Sequence, residues 1–498
     1  MQPLINQDST SDAGQRVWRR RRTKIVATLG PATDDPDVLE SLLRAGVDVV
    51  RLNFSHEPAA AQEQRVRAVR DTARKVGRYV GIIGDLQGPK IRIERFTDGA
   101  IQLKAGDPFV LDTEMDPQGG NNQAVRVSHP ALVEDVQAGD VLLLDDGQIV
   151  LTVFEVGGSQ IRCEVTRGGR LADRKGLNKQ GGGLSAPALT DADRTDIVWA
   201  ARLEIDFFAV SFVRSADDIR EARALIEAAG SSAHVIAKIE RAEAVENIED
   251  ICDAADVIMV ARGDLAVEVG YASMTGLQKG LIRLARQRNK VSITATQMLE
   301  SMIHSPSPTR AEVSDVANAV MDGTDAVMLS AETAVGEYPV EAVTTMAKVC
   351  IGAEKHETMR GVANYRLEDT FQYVDEAIAM AVMYAANHMN VKAIVALTES
   401  GSTTRWMSRV RSDIPIYAFT RNESARRRVT LYRGVYPVSF DVMQTDTKKL
   451  HESAFEMLYR EGAVQPHDLV LFTKGGTEGV AGGTNSMQIL SVPPRQTS

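Results

Sequence analysis

The chain has 498 residues, of which 44% are hydrophobic and 25% charged, a composition typical of globular proteins. One hydrophobic core rarely grows to this length, so we expect more than one domain. The formal net charge of −10 argues against a general nucleic-acid binder. No apolar run approaches the ~18 residues that a membrane span needs, so no membrane partner is expected. The three cysteines are far apart in sequence, which predicts a reduced, cytoplasmic protein without a disulfide or zinc framework.

Residues 1–22 are predicted to form a polar N-terminal tail. The segment is rich in Gln, Asp and Ser and ends in four consecutive arginines, Arg19 to Arg22. Such a cluster could bind an anion, but a solvated surface patch is the simpler interpretation.

Regular alternation of apolar and amphipathic segments begins at Thr23. Segments with helical periodicity, such as Val38 to Ala45, separate most of the apolar runs. Near-continuous apolar strands that alternate with helices predict a parallel sheet, and eight of them predict a (β/α)8 TIM barrel over residues 23–88 and 187–355. A doubly wound open sheet is the alternative, but the chain lacks the G-x-G-x-x-G turn after the first strand. The eight runs are 25–29, 47–52, 80–83, 207–213, 235–239, 257–260, 291–295 and 326–329.

The α/β pattern is interrupted once and then repeated. Residues 89–186 contain strand-like pieces separated by Gly and Asp-Gly turns, which predicts an inserted small β-barrel domain after the third barrel strand. There it would cap the carboxyl ends of the strands, where barrel active sites form and a lid can exclude water. Residues 356–498 show a second alternation of helices and strands, which predicts a separate C-terminal α/β domain.

The run at 235–239 carries charges that a buried strand normally lacks. Lys238 and Glu240 are two residues apart, so both side chains leave the same face of an extended chain. Lys and Glu rarely enter a core unless they pair or bind something. The next run is followed by Ala-Arg-Gly-Asp and brings a further carboxylate, Asp264. A mutual salt bridge between Lys238 and Glu240 is one interpretation, and separate roles in an active site are the other.

Polar side chains also follow the other apolar runs. A Ser or Thr at a strand end usually caps a helix or binds backbone, and a lone Arg usually pairs with a carboxylate. The carboxyl ends of barrel strands converge at one end of the barrel. Polar residues at so many of these ends therefore favour an active site at the barrel mouth. The residues concerned are Arg51, Asn53, Ser55, Asp85, Ser211, Thr294, Thr296 and Ser330.

The types of donor group define the chemistry. Glu240 and Asp264 supply hard oxygen ligands without a His or Cys cluster, which favours Mg²⁺ or Mn²⁺ over zinc. A divalent ion together with Arg51 and Lys238 makes a positively charged site suited to a phosphorylated substrate. Phosphoryl transfer depends mainly on positioning and charge neutralisation, so the residues alone predict a metal-dependent enzyme acting on a phosphorylated small molecule.

Six motifs occur in a fixed order along the chain: RLNFSH at 51–56, GDLQGPKIR at 84–92, AKIE at 237–240, VARGDL at 260–265, TATQMLESM at 294–302 and DAVMLSAET at 325–333. Together they resemble the motifs of the pyruvate kinase family. The resemblance covers nearly the whole chain from Thr23 on. The GDLQGPK form of the second motif, with Leu-Asp-Asp-Gly at 144–147, is similar to a bacterial branch of the family.

The resemblance implies transfer of the phosphoryl group of phosphoenolpyruvate to ADP, giving pyruvate and ATP in the last step of glycolysis. Glu240 and Asp264 would hold Mg²⁺, and Lys238 would stabilise the phosphoryl group in flight. The further contacts that it implies are phosphate binding by Arg51, substrate binding by Ser211, Gly263, Asp264 and Thr296, nucleotide binding by Asn53, His56, Arg92 and Lys175, and proton donation to the enolpyruvate by Thr296 or Ser330.

The resemblance also implies a K⁺ site beside a glutamate. Its ligands would be Asn53, Ser55, Asp85 and the carbonyl of Leu86. The glutamate position is Lys90 in this chain, and its ammonium carries the same charge as K⁺. We therefore predict that K⁺ is dispensable.

For the C-terminal domain the resemblance implies allosteric regulation. A sugar-phosphate or nucleotide effector would place its phosphate on the loop that contains Thr398, Ser400, Gly401, Ser402 and Thr403, although an ordinary helix cap is the alternative. A homotetramer is implied as well.

Two other functions stay open on the sequence. One is a barrel lyase acting on a phosphorylated oxo-acid, either metal-dependent or with Lys238 as a Schiff base, although the neighbouring carboxylates favour metal over Schiff base. The other is a catalytically silent sugar-phosphate sensor, although no inspected catalytic position is missing.

Overall fold

The computed structural model describes residues 21–55, 57–355, 370–445, 449–475 and 482–494. His56, Arg19 and Arg20 lie outside the described residues. The chain divides into two compact units, one drawn from residues 1–84, 205–207 and 282–498 and the other from 85–204 and 208–281. In the described ranges, no helix combines the length and the hydrophobicity needed to cross a bilayer.

The first three strands of the predicted barrel form as expected. Asp35 begins the first long helix by accepting hydrogen bonds from the amides of Asp37 and Val38, and Gly46 ends it in a left-handed conformation at φ 119°. The elements are β1 (Lys24–Thr28), a 3₁₀ turn (Pro31–Thr33), α1 (Pro36–Ala45), β2 (Val49–Asn53), α2 (Ala59–Lys75) and β3 (Gly81–Asp85).

The two described residues of the arginine run, Arg21 and Arg22, are anchored instead of solvated. Arg21 is buried and pairs with Asp48 at 2.8 Å. The backbone amide of Arg22 donates to the carboxylate of Glu354. The prediction of a solvated patch is therefore wrong for these two residues, because their carboxylate partners are distant in sequence.

A β-rich segment follows β3, as predicted. It forms a six-stranded sheet with the order β11-β7-β8-β9-β5-β6 and a two-stranded sheet of β10 and β4. Alternate residues of the long hairpin, such as Ile149, Leu151 and Val153, are buried in its own hydrophobic core. The elements are β4 (Ala100–Leu103), β5 (Pro108–Asp112), β6 (Ala124–Arg126), α3 (Leu132–Asp135), β7 (Val141–Leu144), β8 (Ile149–Gly157), β9 (Gln160–Arg167), β10 (Gly169–Ala172) and β11 (Leu177–Lys179).

Five further strands complete a closed parallel barrel with the order β1-β16-β15-β14-β13-β12-β3-β2. The eighth strand pairs with the first through Lys24 and Ala326, so the predicted barrel is confirmed and the open doubly wound sheet is wrong. The elements are α4 (Asp191–Ala201), β12 (Phe207–Val210), α5 (Ala216–Ala228), β13 (His234–Ile239), α6 (Ala242–Glu246), α7 (Ile248–Ala254), β14 (Val257–Ala261), α8 (Arg262–Val269), α9 (Tyr271–Gln287), β15 (Val291–Ala295), a 3₁₀ turn (Glu300–Ile303), α10 (Arg310–Asp322), β16 (Ala326–Leu329), α11 (Ala331–Ala334) and α12 (Pro339–Glu354).

The C-terminal α/β sheet has the order β19-β18-β17-β20-β21. Its pairs are parallel except that β21 runs antiparallel to β20. The elements are α13 (Val374–His388), β17 (Val391–Leu397), α14 (Ser402–Ser408), β18 (Ile416–Thr420), α15 (Glu423–Val429), β19 (Val435–Ser439), α16 (Leu450–Arg460), β20 (Leu469–Gly475) and β21 (Thr484–Ser491).

Candidate active site

Lys238 lies near the carboxyl end of β13 and its ammonium group is held by three acceptors. Nζ donates to Ser211 Oγ at 2.7 Å. It also lies 3.2 Å from Asp85 Oδ1 and 3.0 Å from Glu240 Oε1. An ammonium has three N–H donors, so these partners fix its position and direction. The lysine side chain is 11% exposed.

Glu240 follows β13 directly and uses its two oxygens differently. Oε1 pairs with Lys238, so the salt bridge considered from the sequence does form. Oε2 accepts a hydrogen bond of 2.8 Å from the backbone amide of Phe212. Phe212 has a φ of 55°, a left-handed conformation that is strained for a bulky residue. The strained backbone thus holds an amide donor on the carboxylate.

Burial raises the pKa of the Glu240 carboxyl, and Lys238 opposes that shift. Repulsion from Asp264 and Asp85 raises the pKa further. Three carboxylates therefore share a poorly hydrated region in which their charges are incompletely compensated. A cation bound there would relieve this repulsion.

Asp85 and Leu86, at the end of β3, complete the surroundings of Lys238. Asp85 is buried and pairs with the lysine as described. The carbonyl of Leu86 accepts from Ser211 Oγ at 2.8 Å. The structure thus brings Ser211, Asp85 and Leu86 together around the ammonium group, although Asp85 and Leu86 were predicted as K⁺ ligands.

Asp264 lies in the first turn of α8, which follows β14 without an intervening loop. The helix begins after Ala261, whose side chain has no oxygen that could cap the first amides, including those of Gly263 and Asp264. Asp264 Oδ1 lies 3.1 Å from Lys90 Nζ, in an ion pair whose side chains are 21% and 27% exposed. Lys90 therefore places its positive charge against this carboxylate.

The carboxylates suit a hard divalent ion. Across the part of the chain that the structure describes, no group of three or more His, Cys, Asp or Glu side chains has the geometry of a complete metal site. Glu240 and Asp264 are close enough for their charges to interact. Mg²⁺ commonly takes only one or two protein carboxylates and completes its shell with water and substrate phosphate oxygens. The two-carboxylate donor set fits that pattern.

Arg51, Asn53 and Ser55 belong to the other compact unit. Arg51 Nη1 donates to Thr28 Oγ1 at 3.1 Å. Asn53 Oδ1 accepts from the amide of Ser55 at 3.1 Å. The Asn53 carbonyl accepts from Gln62 Nε2 at 2.9 Å, which fixes the end of β2 against α2. Arg51 and Asn53 are partly exposed on either side of the buried Leu52 at the end of β2.

Thr296 and Ser330 follow β15 and β16 in this same unit. Thr296 has a φ of 68° and its hydroxyl donates to the Ala295 carbonyl at 2.6 Å. Ser330 Oγ is buried without a hydrogen-bond partner among the described residues. Thr294, also considered from the sequence, is fully buried and donates to Thr324 Oγ1, so its role is structural.

Glu332 ties these two strand ends together. It is buried, and its two oxygens accept hydrogen bonds from the amides of Ser330 at 2.6 Å and Leu299 at 3.1 Å. The strand-end pattern did not single out Glu332, although it lies within the motif at 325–333. The signal in the sequence is a glutamate two residues after the serine that follows an apolar run.

Arg92 and Lys175 are neighbours in the β-rich segment. The Arg92 guanidinium donates to the Arg174 carbonyl at 3.1 Å. Lys175 Nζ pairs with Asp145 Oδ1 at 2.8 Å. Asp145, at the positive φ of 52° in the Leu-Asp-Asp-Gly turn, is a further partner that the sequence analysis did not name.

The loop before α14 uses its hydroxyl groups internally. Thr398 Oγ1 accepts from the Gly401 amide at 2.9 Å, and Ser400 Oγ accepts from the Ser402 amide at 3.3 Å. Thr403 is buried and bonded to Thr484. The N-cap residue of α14 is Gly401, so these hydroxyl contacts are made within the loop and do not include a side-chain cap.

Comparison with known proteins identifies the family. The chain matches the family model of the pyruvate kinase barrel domain over residues 20–343 and that of the pyruvate kinase alpha/beta domain over residues 376–490. Pyruvate kinase II of Salmonella typhimurium is 51% identical over 478 residues, which cover 95% of this chain and 99% of that protein. A pyruvate kinase of Haemophilus influenzae is 51% identical over 462 residues, covering 92% and 96%.

A solved structure agrees with these relatives. The crystal structure of a pyruvate kinase from Cryptosporidium parvum has a TM-score of 0.89 at 34% identity, covering 96% of this chain and 97% of that one. The lyase and sensor alternatives are not favoured by any of these similarities. The chain therefore belongs to the pyruvate kinase family.

Proposed function

We propose that the cluster around Lys238 carries the transfer of the phosphoryl group of phosphoenolpyruvate to ADP, giving pyruvate and ATP. The observation that supports this assignment is the ammonium group fixed by Asp85, Ser211 and Glu240 in a nearly buried position. A positive charge that is already held in place, in a site that excludes water, stabilises developing negative charge without reorganisation during the reaction.

Glu240 and Asp264 are proposed to hold Mg²⁺, or Mn²⁺ in its place. When bound, the metal supplies Lewis-acid neutralisation of the phosphoryl and substrate oxygens. The repulsion between the two carboxylates supports this assignment, because their charge is compensated only in part by Lys238 and Lys90.

Lys238 is proposed to meet the moving phosphoryl group. All three of its N–H donors have protein partners, so it has to exchange one of them for a phosphoryl oxygen. The pair with Glu240 is the one expected to loosen, since Glu240 keeps a second hydrogen bond from the Phe212 amide.

The substrate contacts are proposed from the family motifs. Arg51 would bind the phosphate through its planar guanidinium. The amides of Gly263 and Asp264 open α8, where the helix dipole favours an anion, and would take the substrate carboxylate together with Thr296. Ser211 would contribute by keeping Lys238 in place.

Ser330 is the proposed route for the proton that converts enolpyruvate to pyruvate. Its hydroxyl lacks a partner in the described structure, whereas the Thr296 hydroxyl is occupied by the Ala295 carbonyl. Ser330→Ala should slow ketonisation of added enolpyruvate more than Thr296→Ser does. The reverse ranking would assign the proton to Thr296.

The nucleotide is proposed to contact Asn53, His56, Arg92 and Lys175. The neighbouring positions of Arg92 and Lys175 support their sharing one phosphate chain.

An effector phosphate on the loop Thr398 to Thr403, assembly as a homotetramer and a cytoplasmic location are proposed on the family resemblance alone. The internal bonds of that loop mean that an effector would have to displace some of them. Analytical ultracentrifugation tests the tetramer, which a monomer at working concentration would disprove.

K⁺ is proposed to be dispensable because Lys90 supplies a fixed positive charge beside Asp264. The alternative is that Asn53, Ser55, Asp85 and Leu86 still require a monovalent cation. An assay in tetramethylammonium salt separates the two cases.

The direct test of the function is a coupled assay of pyruvate formation from phosphoenolpyruvate and ADP with Mg²⁺. We expect turnover that disappears when EDTA removes the metal and returns with Mg²⁺ or Mn²⁺. Absence of pyruvate formation with metal, with or without sugar-phosphate or nucleotide effectors, would overturn the proposal.

A further inference from the structure

A second charged site belongs to the other compact unit, where barrel residues meet the C-terminal domain within that unit. It is a pocket of about 420 Å³, including the solvent at its mouth. Five arginines line it together with a single carboxylate from Asp325. These arginines are Arg22, Arg286, Arg409, Arg411 and Arg433.

Two of the five arginines are already neutralised. Arg409 is buried and forms a bidentate ion pair with Asp325. Arg22 pairs with Glu354 and Asp413. Asp325, Glu354 and Asp413 are therefore already paired with these two guanidinium groups.

The other three arginines bind neutral oxygens. Arg286 donates to the Arg409 carbonyl at 3.0 Å, and Arg411 donates to the Met321 carbonyl at 2.8 Å. The Arg433 side chain donates to Thr23 Oγ1 and the Thr324 carbonyl. None of the three has a carboxylate ion pair among the described residues, and Arg411 Nε is buried without a hydrogen-bond partner there.

Two of the three guanidinium groups, those of Arg286 and Arg411, lie side by side at Gly323. A Cβ at Gly323 would lie 2.9 Å from Arg286 Nη1 and 3.1 Å from Arg411 Nη2. Gly323 ends α10 at a φ of 95°, a left-handed conformation that other residues rarely adopt. The helix end thus leaves room for two like charges side by side.

Close approach of like charges in a poorly hydrated pocket is unfavourable without an anion. Burial, together with repulsion from Arg411, Arg409 and Arg433, lowers the pKa of the Arg286 guanidinium to about 10, and Asp325 opposes the shift. The pKa of Arg411 is lowered by burial and by Arg433, against Asp322. Burial is the largest cause in both cases, and repulsion from neighbouring arginines adds to it.

We propose that this arginine pocket binds the phosphate group of a small molecule, with Arg286, Arg411 and Arg433 as its ligands. Arginine presents planar pairs of N–H donors that match the oxygens of phosphate, and three of them around one cavity suit a dianion better than a carboxylate. The site is distinct from the loop Thr398 to Thr403 and does not depend on the function proposed above.

The test is calorimetric titration of the full chain with inorganic phosphate and, separately, with glycerol 3-phosphate as a compact monoester. Arg286→Gln and Arg411→Gln should each weaken one binding event by about ten-fold or more, since each removes charged hydrogen bonds. Arg283→Gln, an exposed arginine on the same helix, is the matched control and should bind as the unmodified chain does. Ser400→Glu, which adds a negative charge to the effector loop, should also leave this event unchanged.

The two probes identify the source of the phosphate. Binding of the monoester with at least the affinity of phosphate indicates a phosphorylated metabolite, and binding of inorganic phosphate alone indicates the free ion.

If one glutamine variant fails to fold, the other glutamine variant and Arg411→Lys still test the proposal. Lysine retains the positive charge but lacks the planar pair of N–H donors. Unchanged binding of both probes in the folded variants would overturn the proposal.

Discussion

The Lys238 cluster and the arginine pocket are buried charged sites of opposite sign. Around Lys238, the carboxylates of Asp85, Glu240 and Asp264 outnumber the ammonium groups of Lys238 and Lys90. In the pocket, five arginines face one lining carboxylate. A surplus of one sign in a poorly hydrated place costs free energy, so each site favours binding of an ion of the opposite sign. One site suits a divalent cation, and the other suits an anion.

Replacing Lys238 with methionine should have the largest effect on activity. Methionine keeps most of the side-chain volume but removes the ammonium held by Asp85, Ser211 and Glu240. We expect turnover to fall by roughly 1,000-fold or more, since electrostatic stabilisation of the transition state is lost. Steady-state assay of pyruvate formation measures this. Lys104→Met, at an exposed lysine, is the control and should retain full activity.

Breaking the Arg409–Asp325 pair should have the largest effect on stability. Asp325→Ala leaves the buried Arg409 charge uncompensated beside the other arginines of the pocket. The free energy of unfolding should fall by about 3–5 kcal/mol, measured by urea denaturation. Asp217→Ala removes an exposed pair with Arg220 and should change stability by less than ~1 kcal/mol. Equal losses in the two variants would mean that the pocket is as solvated as the surface.

Glu268 provides a pH-dependent test in the same compact unit as Lys238. Burial raises the pKa of this carboxyl to about 7, although the Ala242 amide and Arg241 oppose the shift. The folded state therefore holds a proton between pH 4.5 and 7 that the unfolded chain has released, so stability decreases as the pH rises through this range. The decrease from this group is roughly 2–3 kcal/mol.

Glu268→Gln should remove that decrease, because glutamine does not titrate. The difference in unfolding free energy between the two proteins should therefore change across the range and level off above it. A constant difference from pH 4.5 to 8 would contradict the assigned burial effect.

Lys90→Glu should have the smallest effect on stability. Its effect on activity should depend on whether K⁺ is present. The pair of Lys90 with Asp264 is partly exposed, so Lys90→Glu should cost about 1 kcal/mol or less through the pair itself. The unmodified chain should be equally active in K⁺ and in tetramethylammonium, whereas the variant should need K⁺. Loss of most activity by the unmodified chain in tetramethylammonium would contradict the role given to Lys90.

The sequence was most informative where polar residues interrupt a regular pattern. The residues that stand out lie at or just after the ends of apolar strands, namely Lys238, Glu240 and Asp264. The closed barrel explains this placement. The eight apolar runs predicted the eight barrel strands to within a few residues, since buried parallel strands need continuous hydrophobicity.

Contacts made by backbone or by distant residues could not be predicted. The amide of Phe212 holds Glu240 only because of a left-handed backbone conformation that no pattern signals. The pocket arginines come from three stretches of the chain that are more than a hundred residues apart, and each arginine resembles a surface residue in the sequence. The burial of Arg21 depends likewise on its ion pair with Asp48, which directly precedes β2.

The division of roles between Glu240 and Lys238 is the central claim, and Mg²⁺ affinity tests it most directly. Mg²⁺ or Mn²⁺ binding should be measured by titration of the unmodified chain, Glu240→Gln and Lys238→Met, with Glu227→Gln as an exposed control. We expect Glu240→Gln to weaken metal binding by about 10- to 100-fold, because a ligand charge is lost. Lys238→Met should bind metal at least as well as the unmodified chain, because a competing cation is removed from Glu240. Equal loss of affinity in both variants would contradict the assignment.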